Sequence, residues 1–161
     1  MRKNNVSVFQ KKIETAVGNL YLVASHHGLQ HLSWEKQEAP LLKNESGPAV
    51  LILKKAEKQI KEYFAGSRKV FDLPLDLKGT DFQKKVWQAL LHIPYGKTCS
   101  YKDIAALLNN DKACRAVGTT NGRNPVAIIV PCHRVINADG GLGGYSSGLD
   151  RKQFLLALEG I

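Results

Sequence analysis

Ala127-Ile128-Ile129-Val130-Pro131-Cys132-His133-Arg134-Val135-Ile136 is the stretch around which the rest of the chain is arranged. Four apolar, mostly β-branched residues in a row predict a buried strand or buried extended segment, and Pro131 ends it. Cys132 is therefore expected at the rim of a core. An imidazole and a guanidinium, His133 and Arg134, follow it directly; both favour the thiolate, which is the nucleophilic form of cysteine. On these residues alone two readings of Cys132 stay open. An unpaired cysteine is commonly a small apolar filler. Beside a histidine it is also the pattern of an activated nucleophile, with His133 acting directly or through a water.

Upstream, Ser100-Tyr101-Lys102-Asp103 starts a helix that Ile104, Ala105, Ala106, Leu107 and Leu108 continue. Asn109-Asn110-Asp111 breaks it, and Ala113 to Thr120 form a second short helix before Asn121-Gly122. Helix, short turn and basic helix is the order of a helix-turn-helix, although any αα-hairpin produces the same pattern. Before it, Thr80-Asp81-Phe82-Gln83 is a capping box, and Phe82, Val86, Leu90 and Ile93 supply the inner face of the helix it opens. Trp87 and Phe82 at that spacing read as core, not as base-stacking platforms. Pro94-Tyr95-Gly96 ends this helix.

The first half is organised differently. Val6-Ser7-Val8, Ile13 and Leu20-Tyr21-Leu22-Val23 alternate as strands, with turns at Val17-Gly18-Asn19 and His26-His27-Gly28, so two hairpins are expected. Gln37 to Gly47 reads as a surface loop. Pro48 opens a helix with Leu53, Ala56, Ile60, Tyr63 and Phe64 inward and Lys54, Lys55, Lys58 and Lys61 on a solvated face. Val70 to Leu75 reads as another strand, and Asp76 to Gly79 as the linker. The expected architecture is α+β: a sheet-plus-helix unit over 1–78 and a mostly helical unit over 79–161 that carries the helix-turn-helix.

The chain has 161 residues, enough to bury a core without disulfides or a structural metal. It has no apolar run long enough to span a membrane, and Met1-Arg2-Lys3-Asn4-Asn5 lacks the apolar segment of a signal peptide, so a cytoplasmic location is expected. Three cysteines, Cys99, Cys114 and Cys132, show no paired spacing and read as reduced thiols. Lysine and arginine outnumber the acids 23 to 14, a net charge of +9 that favours a polyanionic partner. Six of those bases but only two acids lie between Gly96 and Val135, the stretch that holds the candidate nucleophile.

Taken in order, Ser100-Tyr101, Arg115-Ala116-Val117-Gly118, Asn121 to Val126, Pro131-Cys132-His133-Arg134-Val135, the loop Gly140-Gly141-Leu142-Gly143-Gly144-Tyr145-Ser146-Ser147-Gly148 and Leu155-Leu156-Ala157-Leu158-Glu159 resemble the O6-alkylguanine-DNA alkyltransferases from about Thr80 onward. The resemblance implies a ribonuclease-H-like first domain and a winged-helix-like second one. It implies direct, stoichiometric transfer of an alkyl group from O6-alkylguanine to Cys132, and leaves activity on O4-alkylthymine open. His133 and Glu159 would complete a relay, and Tyr101 would donate to the lesion base. Arg115 would replace that base in a duplex entered from the minor groove. Asn124 is a structural clamp on this view or a plain Asx-turn on the other. The resemblance also implies DNA contacts from Ala113, Thr119, Thr120, Gly122 and Arg123, and a pocket lined by Val135, Gly143, Tyr145 and Ser146. A monomer acting on double-stranded DNA, with no cofactor, no metal and no membrane, is the expectation.

Without the resemblance, Arg115 reads first as a phosphate contact or solvated arginine and Tyr101 as a packed aromatic, while the glycine-rich loop is equally a connector. His26, His27 and His31 lack a cysteine or carboxylate at ligand spacing, and Ser25 stands where some relatives carry a zinc-binding cysteine, so no metal is expected there. A zinc deaminase is excluded because position 135 of a Pro-Cys-x-x-Cys signature is valine. A cysteine hydrolase, a lesion binder without chemistry and a transcription factor are the remaining alternatives.

Overall fold

The computed structural model describes residues 8–161, so Val6 and Ser7, read above as the start of a strand, lie outside the described residues. The chain divides into two compact units, the break falling after Leu77.

In the first unit β1 (Phe9–Thr15), β2 (Gly18–Ala24) and β3 (Leu29–Ser33) form an antiparallel sheet in that order, joined by two hairpins. α1 (Pro48–Phe64) starts with proline in its first turn, where the missing N–H costs nothing. Its stripe of Ala49, Val50, Leu53, Ala56, Ile60 and Tyr63 is buried, as are Ile13, Leu20, Leu22 and Leu32 of the sheet, while Lys54, Lys55, Lys58 and Lys61 stay in water. The Gln37–Gly47 loop is fastened by the buried Gln10 side chain, which donates to the carbonyls of Gln37 and Ala39 and accepts from the Gln37 amide.

Residues 70–75 do not form the expected strand. Only Leu75 makes a bridge, parallel to Leu29, flanked by bonds from Leu29 N to Pro74 O and from Asp76 N to Leu29 O. Pro74 has no N–H to extend a ladder. The approach is close enough that a β-carbon on Gly28 would lie 2.8 Å from the Leu75 carbonyl carbon, which is why glycine occupies that turn. Ser25 donates to Asp76 at 2.6 Å, and His26 and His27 are exposed.

In the second unit Thr80 and Gln83 close the capping box of α2 (Asp81–Leu90), which stops short of Ile93. Trp87 is core: its indole N–H donates to the Thr120 carbonyl at 3.1 Å. Ser100 and Asp103 form a second capping box at the head of α3 (Tyr101–Leu107). Asn109 takes the left-handed conformation (φ 55°) that lets the chain turn, as an asparagine tolerates. A single 3-10 turn over Asp111–Ala113 then leads into α4 (Cys114–Gly122), completing the helix-turn-helix.

The sequence reading missed a short parallel pair, β4 (Cys99–Ser100) with β5 (Val135–Ile136), which pins the segment after Cys132 beside the start of α3. α5 (Leu149–Leu158) closes the unit and packs against the Cys132–Arg134 segment. No helix among the described residues is long and apolar enough to cross a membrane.

Candidate active site

The run Ala127–Val130 is fully in the core, but it is a chain of turns and not a strand. Val130 N bonds to Val126 O, Ile129 N to Ala127 O at 2.8 Å, and Cys132 N to Val130 O at 2.8 Å. The last two are γ-turns centred on Ile128 (φ 71°) and Pro131 (φ −82°, ψ 63°). A β-branched residue at positive φ costs about 1–3 kcal/mol and persists only where its surroundings impose it. Asn124 supplies much of that imposition: its Nδ2 donates to Val130 O at 2.7 Å and its Oδ1 accepts from Val126 N at 3.0 Å. It is thus both an Asx-turn and a clamp, spanning the strained segment that delivers Cys132.

Cys132 is 5% exposed. Burial pushes its thiol up from the ordinary range; a hydrogen bond from Asn124, the Lys152 charge and a hydrogen bond from Tyr145 act in the opposite direction. The adjacent His133 and Arg134 do not supply this support, contrary to expectation. The polar end of Arg134 and the Nε2 edge of His133 are engaged by Glu159 instead.

His133 Nε2 lies 2.6 Å from Glu159 Oε2 with both side chains fully buried. Arg134 grips the same carboxylate through Nε (2.8 Å) and Nη2 (3.2 Å) and donates to the Ile93 carbonyl at 2.7 Å. The Gly96 amide also donates to Glu159. Burial lowers the His133 pKa, and Arg134 and Lys152 add to that against the opposing pull of Glu159. The ring is neutral at pH 7, with its proton on the Nε2 that faces the carboxylate. Its other nitrogen, Nδ1, is then an acceptor, buried and without a protein partner.

Tyr101, first residue of α3, is near enough to Cys132 to feel a charge there. Burial raises the Tyr101 pKa, while a hydrogen bond with the Gly144 backbone lowers it. The glycine-rich loop is not a loose connector. A β-carbon on Gly143 (φ 72°) would sit 3.0 Å from the Tyr101 hydroxyl, so the loop backbone lies directly against that ring. Lys152 Nζ ties it down, donating to Gly144 O at 3.0 Å and Val135 O at 2.6 Å. Of the expected pocket residues, Gly143 and Tyr145 are half-buried and Ser146 is exposed. Val135 is fully buried, so the Val135 side chain belongs to the core and only its backbone can face a ligand.

Arg115 is exposed on the first turn of α4, with Thr119, Gly122 and Arg123 also exposed. Ala113 and Thr120 do not join that surface. Both are buried, Thr120 one turn beyond Val117 on the inward stripe of the helix, so the DNA-contact expectation for these two side chains is corrected. The sequence reading passed over Lys152 and Asn121. Lys152 had a legible signal: with Leu155, Leu156 and Glu159 it falls on one helix stripe, and a lysine on an apolar stripe must find buried partners. Asn121, which donates to the Cys132 carbonyl at 3.2 Å, had no such signal. Neither other cysteine competes as nucleophile on these contacts. Cys99 is pushed up to about 11 by burial and Asp103, and Cys114 is half-buried on the outer helix.

Comparison with known proteins places these features in company. Residues 8–77 match the family described as 6-O-methylguanine DNA methyltransferase, ribonuclease-like domain, and residues 81–161 match its DNA binding domain. The chain is 47% identical over 153 residues to the methylated-DNA–protein-cysteine methyltransferase of Methanosarcina barkeri, covering 91% of this chain and 94% of that one. Among solved structures, Mycobacterium tuberculosis OGT in complex with DNA is 45% identical, with a TM-score of 0.83 over 94% of this chain and 92% of its own. An O6-methylguanine DNA methyltransferase of Methanococcus jannaschii is 35% identical, with a TM-score of 0.63 and 92% coverage of both chains.

Proposed function

This chain belongs to the 6-O-methylguanine DNA methyltransferase family, and we propose that Cys132 is the acceptor to which it moves the alkyl group of O6-alkylguanine. It is a DNA-repair methyltransferase whose partner is DNA. What supports Cys132 is the convergence of Asn124, Tyr145 and Lys152 on one thiol, beside a neutral histidine whose far nitrogen is anchored to Glu159.

A base inside a duplex is out of reach of a fixed sulfur, so the nucleotide is rotated out of the stack. Exposed Arg115 enters the vacated space from the minor groove, with Thr119, Gly122 and Arg123 along the backbone. Readout there is indifferent to sequence, as a lesion that arises anywhere requires. The base lies between the Cys132 turn and the Gly143–Ser146 loop.

His133 Nδ1 takes the thiol proton through a water while Glu159 offsets the imidazolium charge. The sulfur forms a bond to the alkyl carbon, the carbon–O6 bond breaks and its electron pair stays on guanine. Tyr101 donates a proton toward that developing charge. The product is a thioether, which water does not cleave, so each molecule acts once and the displacement calls for no cofactor. The protein acts as a monomer in the cytoplasm.

The test is intact mass before and after mixing with duplex DNA containing O6-methylguanine. Wild type gains one methyl group and Cys132→Ala gains none; an unchanged wild-type mass, or methylation of the variant, refutes the assignment.

A further inference from the structure

His133 Nδ1 and Asn121 Oδ1, both in the second unit, are buried side-chain acceptors that receive no hydrogen bond from the protein. Asn121 is 5% exposed, in the last turn of α4, the helix that carries Arg115 at its other end. Its Nδ2 donates to the carbonyl of Cys132, which fixes the orientation of the amide and leaves Oδ1 without a partner. That carbonyl belongs to the peptide joining Cys132 to His133, and Nδ1 is the imidazole nitrogen nearer the same backbone. Both orphaned acceptors therefore flank one peptide unit, next to the thiol. Buried acceptors in native proteins are satisfied, by ordered water where no protein donor reaches them.

We propose that Asn121 is a positioning residue of the proton relay, its Oδ1 and His133 Nδ1 together holding one buried water whose lone pair faces the Cys132 thiol. This rests on the relay described above. A water has two protons to give, and two acceptors without donors use both. One goes to Oδ1, the other to Nδ1, and the oxygen is left to receive the S–H. When the sulfur attacks, the thiol proton moves to the water and the water proton on the Nδ1 side moves to the imidazole; the proton held by Asn121 stays in place. Water is regenerated, the imidazole becomes an imidazolium against Glu159, and the electron pair of the broken S–H bond forms the S–C bond. Without Oδ1 the water is free to turn its donor away from Nδ1. The same amide also links the DNA-facing helix to the peptide of the nucleophile.

The experiment compares single-turnover methyl transfer from duplex DNA containing O6-methylguanine by wild type, Asn121→Leu, Asn121→Ala, His133→Ala and the double variant Asn121→Leu/His133→Ala, from pH 6 to pH 10. Melting temperature and affinity for the duplex are measured on each. At pH 7 the Asn121 variants are slower at saturating DNA by about 10- to 100-fold, with duplex affinity unchanged. A relay is needed only while the thiol is protonated, so the deficit narrows as rising pH increases the thiolate fraction. The double variant is no slower than His133→Ala, since both changes disable one device. Asn121→Ala serves should leucine prevent folding. A deficit of equal size at every pH, additivity with His133→Ala, or no deficit assigns Asn121 to packing alone and overturns the proposal. Failure of wild type to methylate Cys132 at all would instead overturn the reading on which it rests.

Discussion

Arg134 and Glu159 form a buried ion pair, Nε to Oε1 at 2.8 Å and Nη2 to Oε2 at 3.2 Å, and that second oxygen also holds His133. The carboxylate is thus shared. With Arg134 already answering its charge, Glu159 orients the imidazole without forcing it to protonate, and burial together with the guanidinium keeps the His133 pKa below its ordinary value. A base that must accept a proton during the reaction is best left neutral beforehand.

Replacing Arg134 by Gln removes one of the causes that lower the His133 pKa and leaves Glu159 paired with the imidazole. The acid limb of the transfer rate moves to higher pH than in wild type, read from single-turnover rates between pH 5 and pH 8. Breaking a buried pair also costs about 3–5 kcal/mol of stability, measurable by urea unfolding. In wild type the folded state binds fewer protons at His133 than the unfolded state does. Its contribution to stability therefore falls as pH drops below about 6.5 and levels off only below the folded pKa.

Lys152→Met tests the buried cation. Its ammonium is lowered to about 8 by burial, so it is charged at pH 7 and supports the thiolate. The variant transfers more slowly at pH 7 by about tenfold, the worth of one interaction of roughly 1.4 kcal/mol. The rate deficit narrows above pH 8, where wild type loses the same charge. The carbonyls of Val135 and Gly144 lose their shared donor, at about 1–3 kcal/mol each. Since the folded state releases this proton before the unfolded state does, wild type gains stability over the variant between about pH 8 and pH 10, as paired melting curves will show.

Gly143→Ala places a methyl group 3.0 Å from the Tyr101 hydroxyl and 3.2 Å from Asn137 Oδ1, at a φ that disfavours any side chain. It lowers stability by about 1–2 kcal/mol. Transfer at saturating DNA slows while duplex affinity stays within about twofold, because the loop meets the base and not the phosphates.

Arg115→Ala separates extrusion from chemistry. With no long cation to hold the gap, transfer from a methylated guanine in duplex DNA falls about 100-fold, whereas transfer from the free alkylated base is unchanged. Equal losses on the two substrates would mean that this side chain acts on the Cys132 chemistry itself.

Much of this was legible because it is local. The capping boxes at Thr80 and Ser100, the inward stripe of α1 and the turn at Asn109 depend on residues three or four apart, and the structure has all of them. Charge counted along the chain showed a local basic excess between Gly96 and Val135, the stretch that holds Cys132. The strand read at Val70–Leu75 failed because alternation says nothing about a partner, and Pro74 denied one. The run before Cys132 failed similarly: four apolar residues state burial, not conformation, and Asn124 bends them into turns.

What no local rule could supply was the surroundings of the sulfur. Adjacency in the chain suggested His133 and Arg134 as its activators, yet both face Glu159, and the groups that reach Cys132 are Asn124, Tyr145 and Lys152. Lys152 arrives from a helix seventeen positions beyond the Val135 carbonyl that it holds. Residue types and their order name the chemistry, because a thiol, an imidazole and a carboxylate carry their reactivity wherever they stand. Which of them meet, and which carry charge when they do, depends on burial and on distances of a few ångströms, and those exist only once the helices and the glycine-rich loop have closed around Cys132.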